Sequence, residues 1–278
     1  MSTPQGMLDI AVLRRHFDAH FESGGGAFID VVDSIASTNA KLLSEAEQSA
    51  THFLIARQQT AGVGRRGGVW QSPPTGNLYL SYCFHTRQPL SAVALMPLAF
   101  GVEIAARIQS CVGAEIGIKW PNDLYLNGKK CGGILLETKP LAKGVIAVVV
   151  GVGLNVVSHP NDELLGRPTT CLQSGSEQNI SLSDIAHAVM TAIKCVSELS
   201  AREVSDRLLT HWPERDFLVN RQVKVSQGAA GAEVEVRGVA KGIAPDGGLR
   251  VDCDGKIETF YAGEVSLGHV ESAGSVPN

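Results

Sequence analysis

The chain has 278 residues, 44% of them hydrophobic and 19% charged, with a formal net charge of −4. That is length enough for one large domain and a small one around ordinary apolar cores. The mildly acidic balance gives no global electrostatic basis for holding DNA, RNA or an anionic membrane, and no uninterrupted apolar run reaches the roughly 18–20 residues of a membrane span.

Leu8, Val12 and His16 share one side of a helix over residues 7–21, which Ser23-Gly24-Gly25-Gly26 breaks. Phe28 to Val32 reads as the first strand. Ser37 or Thr38 offers the N-cap of a helix from Asn39 to Ala50. His52 to Ala56 is a second strand leading into a glycine-rich loop, and Asn77 to Phe84 alternates as a half-buried strand does. The strongest helix runs from Ser91 to Ser110. Leu95, Leu98, Val102, Ala105 and Ile108 recur there at three- and four-residue steps, and Pro97 is tolerated in the first turns. Ile116 to Trp120, Asp123 to Leu126, Cys131 to Lys139 and Gly144 to Asn155 follow as strands, with a turn at Asn127-Gly128. The Gly144–Val150 stretch is apolar enough to be central in a sheet or to pair across a two-fold axis. Ser181 with Asp184 resembles a capping box opening a helix through Leu199.

The texture changes near Asn220. Short strands at Gln222–Ser226, Glu233–Val239, Leu249–Asp252 and Glu258–Tyr261 are separated by glycine-rich turns, which predicts a small all-β barrel appended to an α+β body. Gly268 to Asn278 should fray. The expected division is an N-terminal helix and loop (1–26), a main domain (27–219), a barrel (220–270) and a tail (271–278).

Two segments carry most of the chemical signal. Gln59 to Trp70 contains Gly62, Gly64, Gly67 and Gly68, which let successive N–H groups converge on an anion, while Arg65 and Arg66 add permanent positive forks. Sixty residues after the start of that loop, Lys119-Trp120-Pro121-Asn122-Asp123 ends a strand with an ammonium on a proline-stiffened turn. Asn122 and Asp123 stand ready to orient the lysine or a magnesium–phosphate group. The plainer reading is a surface lysine paired with Asp123, but Trp120 and Pro121 are poor choices for an idle turn. Together the two segments describe a site that brings two anions together, as activation of a carboxylate by a nucleotide requires. Ser37-Thr38-Asn39 reads on its own as a helix cap. Gly151-Val152-Gly153-Leu154-Asn155 ends an apolar strand, where the glycines permit close approach of a ligand and Asn155 offers an amide that can read a base edge.

Other chemistries find no support. The eight histidines have no metal-ligand spacing, and no P-loop, H-E-x-x-H or G-x-S-x-G motif is present. The six cysteines lie far apart without a C-x-x-C pair, which favours the reduced thiols of a cytoplasm. No secretory signal is visible in residues 1–25. Catalysis by positioning and charge neutralisation remains.

Taken in order, Ser37-Thr38-Asn39, Gln59 with Gly62-Val63-Gly64-Arg65-Arg66-Gly67, Trp70, Lys119 to Asp123, Gly132 to Glu137 and Gly151 to Asn155 resemble the biotin–protein ligase family from about Phe28 to Leu267. The resemblance implies a mixed-sheet catalytic domain like that of class II aminoacyl-tRNA synthetases, with an SH3-like barrel ending in Gly263-Glu264-Val265-Ser266-Leu267. It implies ATP and magnesium as cofactors, biotin as substrate, and the biotin carboxyl carrier protein of acetyl-CoA carboxylase as partner, with a homodimer along an edge strand. Lys119 and Arg65 are then the catalytic cations, holding the carboxylate and α-phosphate. Ser37, Thr38, Asn39, Gln59, Gly62, Val63, Gly64 and Gly133 fall on the biotin side. Arg66, Trp70, Asn122 and Asn155 fall on the nucleotide side, and no residue is assigned as a metal ligand. Val63 departs from the family's loop, which usually has a further arginine there. About 27 residues precede the first core strand, too few for the winged helix-turn-helix of operon-repressing relatives, so no DNA-binding role is expected. Ser23-Gly24-Gly25-Gly26 superficially resembles a lipoate–protein ligase signature but lacks its arginine pair and histidine. A non-enzymatic biotin adaptor is the alternative from another class, and the phosphate clamp of Lys119 and Arg65 argues against it.

Overall fold

The computed structural model describes residues 8–21, 28–48, 51–73, 76–165, 167–227 and 234–267. Met7, the Ser23–Gly26 loop, Ala50, Glu233 and the Gly268–Asn278 tail lie outside the described residues.

After helix α1 (Ile10–Phe21), strand β1 (Phe28–Ile35), helix α2 (Thr38–Glu45) and strand β2 (Thr51–Gln59) form a strand–helix–strand unit. The crossover helix makes β1 and β2 parallel. Strand β3 (Leu78–Thr86), helix α3 (Leu90–Val112), and strands β4 (Ile116–Lys119), β5 (Asp123–Leu126), β6 (Lys129–Pro140) and β7 (Ile146–Leu154) follow. All pairings beyond β1–β2 are antiparallel, giving a mixed seven-stranded sheet ordered β1-β2-β3-β7-β6-β5-β4. The apolar stretch ending at Val150 is thus a central strand, buried because β3 and β6 cover both its edges.

The two faces of this sheet have different work. Phe84, Tyr82, Val148 and Val150 face the main core under α3 and under α5 (Leu182–Ser197), which follows the one-turn helix α4 (Asp162–Leu165). The other face carries α2 over a small cluster of Leu42, Leu54, Cys83, Ala147 and Val149. In antiparallel ladders directly opposed residues share a face. The register Tyr79–Gly153–Gly133–Asp123–Lys119 therefore forms one row across five strands on the α2 side, with Ser81–Gly151–Leu135 beside it.

Several elements differ from expectation. Helix α2 is capped by Ser37, whose Oγ accepts from Ala40 N at 3.3 Å, and it ends at Glu45, five residues early. Helix α6 (Ala201–His211) was not anticipated, although Ser200 and Glu203 form its capping box. Pro97 lies well inside α3, a helix long and apolar enough by itself to cross a membrane; 67% of its most apolar window is buried in the fold.

The C-terminal sheet is antiparallel and five-stranded, built from β8 (Gln222–Gln227), β9 (Val234–Ile243), β10 (Leu249–Cys253), β11 (Lys256–Phe260) and β12 (Glu264–Leu267) in the order β11-β10-β9-β8-β12. Backbone and side-chain hydrogen bonds join it to the main domain. Trp120 Nε1 donates to Gly247 O at 3.0 Å in a buried contact. The connecting segment also adds to the edge of β4, with Ile118 N donating to Arg215 O and Phe217 N to Ile118 O.

Candidate active site

A cleft of about 380 Å³ opens on the α2 face, where the glycine-centred row meets the C-terminal sheet. Its two ends differ in chemistry. At one end lie uncharged polar groups from the start of α2. Thr38 N and Oγ1 donate to Gln59 Oε1 at 2.8 and 3.1 Å, which fixes the orientation of the Gln59 amide. Ser81 Oγ lies 2.7 Å from Thr38 Oγ1 and donates to Asn39 Oδ1 at 2.5 Å. Asn39 Nδ2 donates in turn to Glu137 Oε2 at 2.9 Å. Ser37, Thr38, Asn39 and Ser81 are all buried, so this end is pre-organised rather than assembled from flexible surface groups. It can pair with a neutral polar ligand and offers no charge.

The other end is cationic. Among the described residues, Arg65, Arg66, Lys119, Lys130 and Arg167 line the cleft against two carboxylates, Asp123 and Glu264, so the local balance is strongly positive in a chain whose net charge is −4. Asp123 does not pair with Lys119, its neighbour across the β4–β5 hairpin. Its Oδ1 is held at 2.5 Å by Lys130 Nζ. Lys119 consequently has no ion-pair partner among the described residues; its ammonium lies 5.6 Å from the centre of the Tyr125 ring. Burial lowers the Lys119 pKa below the ordinary lysine value, offset in part by Asp123 and reinforced by Lys130 and Arg167. Arg65 is lowered by the same cause. An uncompensated, partly desolvated cation is favourable only when an anion arrives.

Arg65 is held from both domains: it donates to Asn122 Oδ1 at 3.2 Å and to Gly263 O at 3.4 Å. Asn122 Nδ2 donates to Ile134 O at 2.7 Å. The Asn122 and Asp123 side chains thus orient Arg65 and Lys130, not Lys119. The glycine loop is a small closed hairpin instead of an open cradle. Gly64 N, Gly68 N and Trp70 N donate to Gly68 O, Arg65 O and Gly62 O within the loop. Arg66 and Gly67 occupy the left-handed region at the turn, at φ 54° and 74°. Val63 and Arg66 are exposed at the cleft mouth.

Trp70 lies flat on the glycines. A Cβ at Gly153 would come within 2.5 Å of its ring, and one at Gly133 within 3.2 Å. Its Nε1 is buried without a partner among the described residues, and Lys130 Nζ lies 5.5 Å from the ring centre.

Most predicted site residues thus converge, with two exceptions. Gly62 sits behind the lining, where a Cβ would meet Trp70 O at 2.8 Å. Asn155 does not line the cleft: its Nδ2 donates to Thr170 O at 3.0 Å and its N to Cys131 O, so its amide is engaged in the fold. Sequence reasoning missed Lys130, Arg167 and Ser81 as cleft or supporting groups. Ser81, a small hydroxyl flanked by large apolar and aromatic residues in β3, was the one readable signal among them.

The comparisons agree with this architecture. The family model described as Biotin/lipoate A/B protein ligase family matches residues 28–155, and that described as Biotin protein ligase C terminal domain matches residues 219–268. The chain is 31% identical over 247 residues to the bifunctional ligase/repressor BirA of Escherichia coli (strain K12), covering 88% of this chain and 76% of that protein. It is also 31% identical over 248 residues to the biotin–[acetyl-CoA-carboxylase] ligase of Mycobacterium tuberculosis, covering 85% of this chain and 88% of that one. The solved biotin protein ligase from Aquifex aeolicus in complex with biotin and ATP is similar in fold, with a TM-score of 0.67 at 24% identity over 86% of this chain and 98% of that chain. On fold, site and relatives alike, the chain belongs to the biotin protein ligase family.

Proposed function

We propose that the cleft activates biotin with ATP and passes the biotinyl group to a lysine of a carrier domain. In the first step the biotin carboxylate oxygen bonds to the α-phosphorus, and pyrophosphate leaves to give biotinyl-5'-AMP. In the second, the carrier's amine attacks the acyl carbon and AMP departs. The observation that supports this most strongly is Lys119, which has no ion-pair partner among the described residues and lines the same cleft as Arg65 and the neutral polar groups of Thr38 and Gln59.

The magnitudes favour that division. Two unit negative charges at 4 Å repel by about 4 kcal/mol at an effective dielectric of 20. Lys119 and Arg65 offset this repulsion and stabilise charge as it shifts toward the leaving group. Thr38 and Gln59 suit the polar ring of biotin, whose recognition needs hydrogen bonds without charge. Trp70 and Arg66 belong to the nucleotide side. We assign Asn155 a supporting role there, through the turn it ties to Thr170.

Magnesium fits as an ion carried on ATP. No group of three or more His, Cys, Asp or Glu side chains placed to hold a metal ion occurs among the described residues, and Lys130 already engages Asp123. Magnesium keeps several waters and binds mainly through substrate phosphates; Asp123 and Glu264 are the carboxylates that would face it, where it would neutralise phosphate charge.

We take the acceptor to be the biotin carboxyl carrier protein of acetyl-CoA carboxylase, in keeping with the mycobacterial relative, a biotin–[acetyl-CoA-carboxylase] ligase. Pairing of two copies along an edge strand is compatible with β1, the terminal strand of the sheet. Six free thiols accord with a reducing cytoplasm. Mass detection of biotinyl-AMP after incubation with biotin, ATP and magnesium tests the reading. Absence of the adenylate, or turnover of lipoate in its place, would overturn it.

A further inference from the structure

Behind Lys119, outside the cleft lining, lies a column of rings and cations that the reaction as described does not use. The Tyr125 ring stacks on Phe217 at 4.5 Å between centroids and 28° between planes, and the Arg221 guanidinium lies 4.1 Å from the Phe217 ring. Lys119 Nζ sits over the opposite end of the column, 5.6 Å from Tyr125. Gly117 is the register partner of Tyr125, and a Cβ there would lie 3.4 Å from Phe217 Cβ, in ordinary van der Waals contact, so Phe217 packs directly over the backbone of β4 beside Tyr125. Phe217 is held to β4 through its N–H to Ile118 O at 2.9 Å, one residue before Lys119. Arg221 belongs to the C-terminal sheet's entry turn, where its carbonyl accepts from Ala240 N.

We propose that Tyr125, Phe217 and Arg221 form a stack that holds the Lys119 ammonium at the cleft and ties its position to the C-terminal domain, which makes Tyr125 a positioning residue. A lysine side chain loses considerable rotamer freedom when fixed, and a carboxylate partner would fix it at the expense of its attraction for phosphate. An aromatic face orients the ammonium without neutralising it. Asp123 is unavailable for the task because Lys130 holds it. Burial pushes the Tyr125 hydroxyl up to about 12, so the ring carries no competing negative charge at working pH.

The inference rests on the reading of Lys119 as a phosphate-binding cation, and its test separates the two. Inorganic pyrophosphate binding is measured by calorimetry on the full chain in a double-mutant cycle of Tyr125→Leu with Lys119→Met, alongside single-turnover adenylate formation. Tyr125→Leu is expected to weaken pyrophosphate binding about threefold to fivefold, and Tyr125→Phe to restore it within about twofold. In the Lys119→Met background Tyr125→Leu should have no further effect. Arg221→Ala, a surface change at the far end of the column, should weaken binding about twofold and preserve the melting temperature. Equal losses in both Lys119 backgrounds, or wild-type binding in Tyr125→Leu, would overturn the stack. Wild-type protein that forms no adenylate would overturn the functional reading instead, while the pyrophosphate cycle still decides the stack.

Discussion

Gly151 of β7 lies directly beneath the side-chain amide of Asn39, so that a methyl group at 151 would occupy the place of Asn39 Oδ1. The clash is with a fixed group, not a flexible tip: Asn39 is held by Ser81 and Glu137 and is buried. Gly151→Ala should therefore tilt the start of α2 and displace Thr38 from Gln59. Overpacking of a closed site typically costs about 1–3 kcal/mol, which expressed in full at the site would weaken biotin binding by about fivefold to a hundredfold. ATP affinity should change much less, since Arg65, Lys119 and Lys130 lie elsewhere in the cleft. Calorimetric titration with each ligand checks this, and equal losses for both would show a general collapse.

In the Asp123–Lys130 pair Lys130 is buried and Asp123 half-buried, with side-chain exposures of 9% and 17%. Asp123→Asn removes the partner and leaves Lys130 charged in a desolvated position, so it should destabilise the fold by about 3 kcal/mol in urea denaturation. Burial lowers the folded-state pKa of Lys130. Its desolvation penalty is therefore complete below that pKa and is relieved as pH rises through it toward the unfolded value. The destabilisation of Asp123→Asn should accordingly shrink between neutral and alkaline pH. Adding Lys130→Met should recover most of the lost stability at pH 7.

Lys119 titrates in the same direction, with a different consequence. Its pKa in the free protein is lowered by burial, so the ammonium loses its proton at a pH below the ordinary lysine value. Since kcat/KM for ATP reports the free enzyme, that parameter should fall on the alkaline side before free lysine titrates. Bound phosphate favours the ammonium, so kcat should hold to higher pH. Lys119→Ala should lower adenylate formation at least tenfold at pH 7.5, and Lys119→Arg should abolish the alkaline limb. Near-normal rates in Lys119→Ala would make the lysine structural.

How much of this was legible depended on the range of each signal. The Ser37 cap, the Ala105 and Ile108 stripe of α3 and the β-rich C-terminus follow from local spacing, and the structure keeps them. Lys130 did not show because Gly128-Lys129-Lys130 reads as an exposed hairpin. The register shift between Leu124 and Tyr125 breaks the strand alternation, so that Lys130 and Cys131 are both buried in succession. No two-residue pattern contains that information. The pairing of Asp123 with Lys130 in place of Lys119 depends on the same bulge. Helix α6 was missed because it buries only Val204 and Leu208 from its own length, too narrow a stripe to stand out. Contacts of Arg65 with Gly263 and of Trp120 with Gly247 join residues more than a hundred positions apart, and only tertiary folding brings them together.

That last contact yields a stability prediction which also bears on the site. Gly247 adopts φ +81° in the turn before β10, and a Cβ there would come within 2.6 Å of Leu95 and 3.0 Å of Leu98. Its carbonyl accepts from Trp120 Nε1, so the residue following Lys119 is fixed by the C-terminal domain. Gly247→Ala imposes both backbone strain and overpacking, and should destabilise the fold by roughly 2–4 kcal/mol. Trp120→Phe removes only the hydrogen bond and some ring volume, leaves the Gly247 carbonyl unpaired, and should cost about 1–3 kcal/mol. Because Lys119 precedes this anchor directly, both variants should raise the KM for ATP while leaving biotin binding at the Thr38–Gln59 end within about twofold. Urea unfolding and ligand titrations on the two variants decide it: matched losses for biotin and ATP would mean that Trp120 supports the whole sheet, and selective loss for ATP that the C-terminal domain sets the cationic end of the cleft.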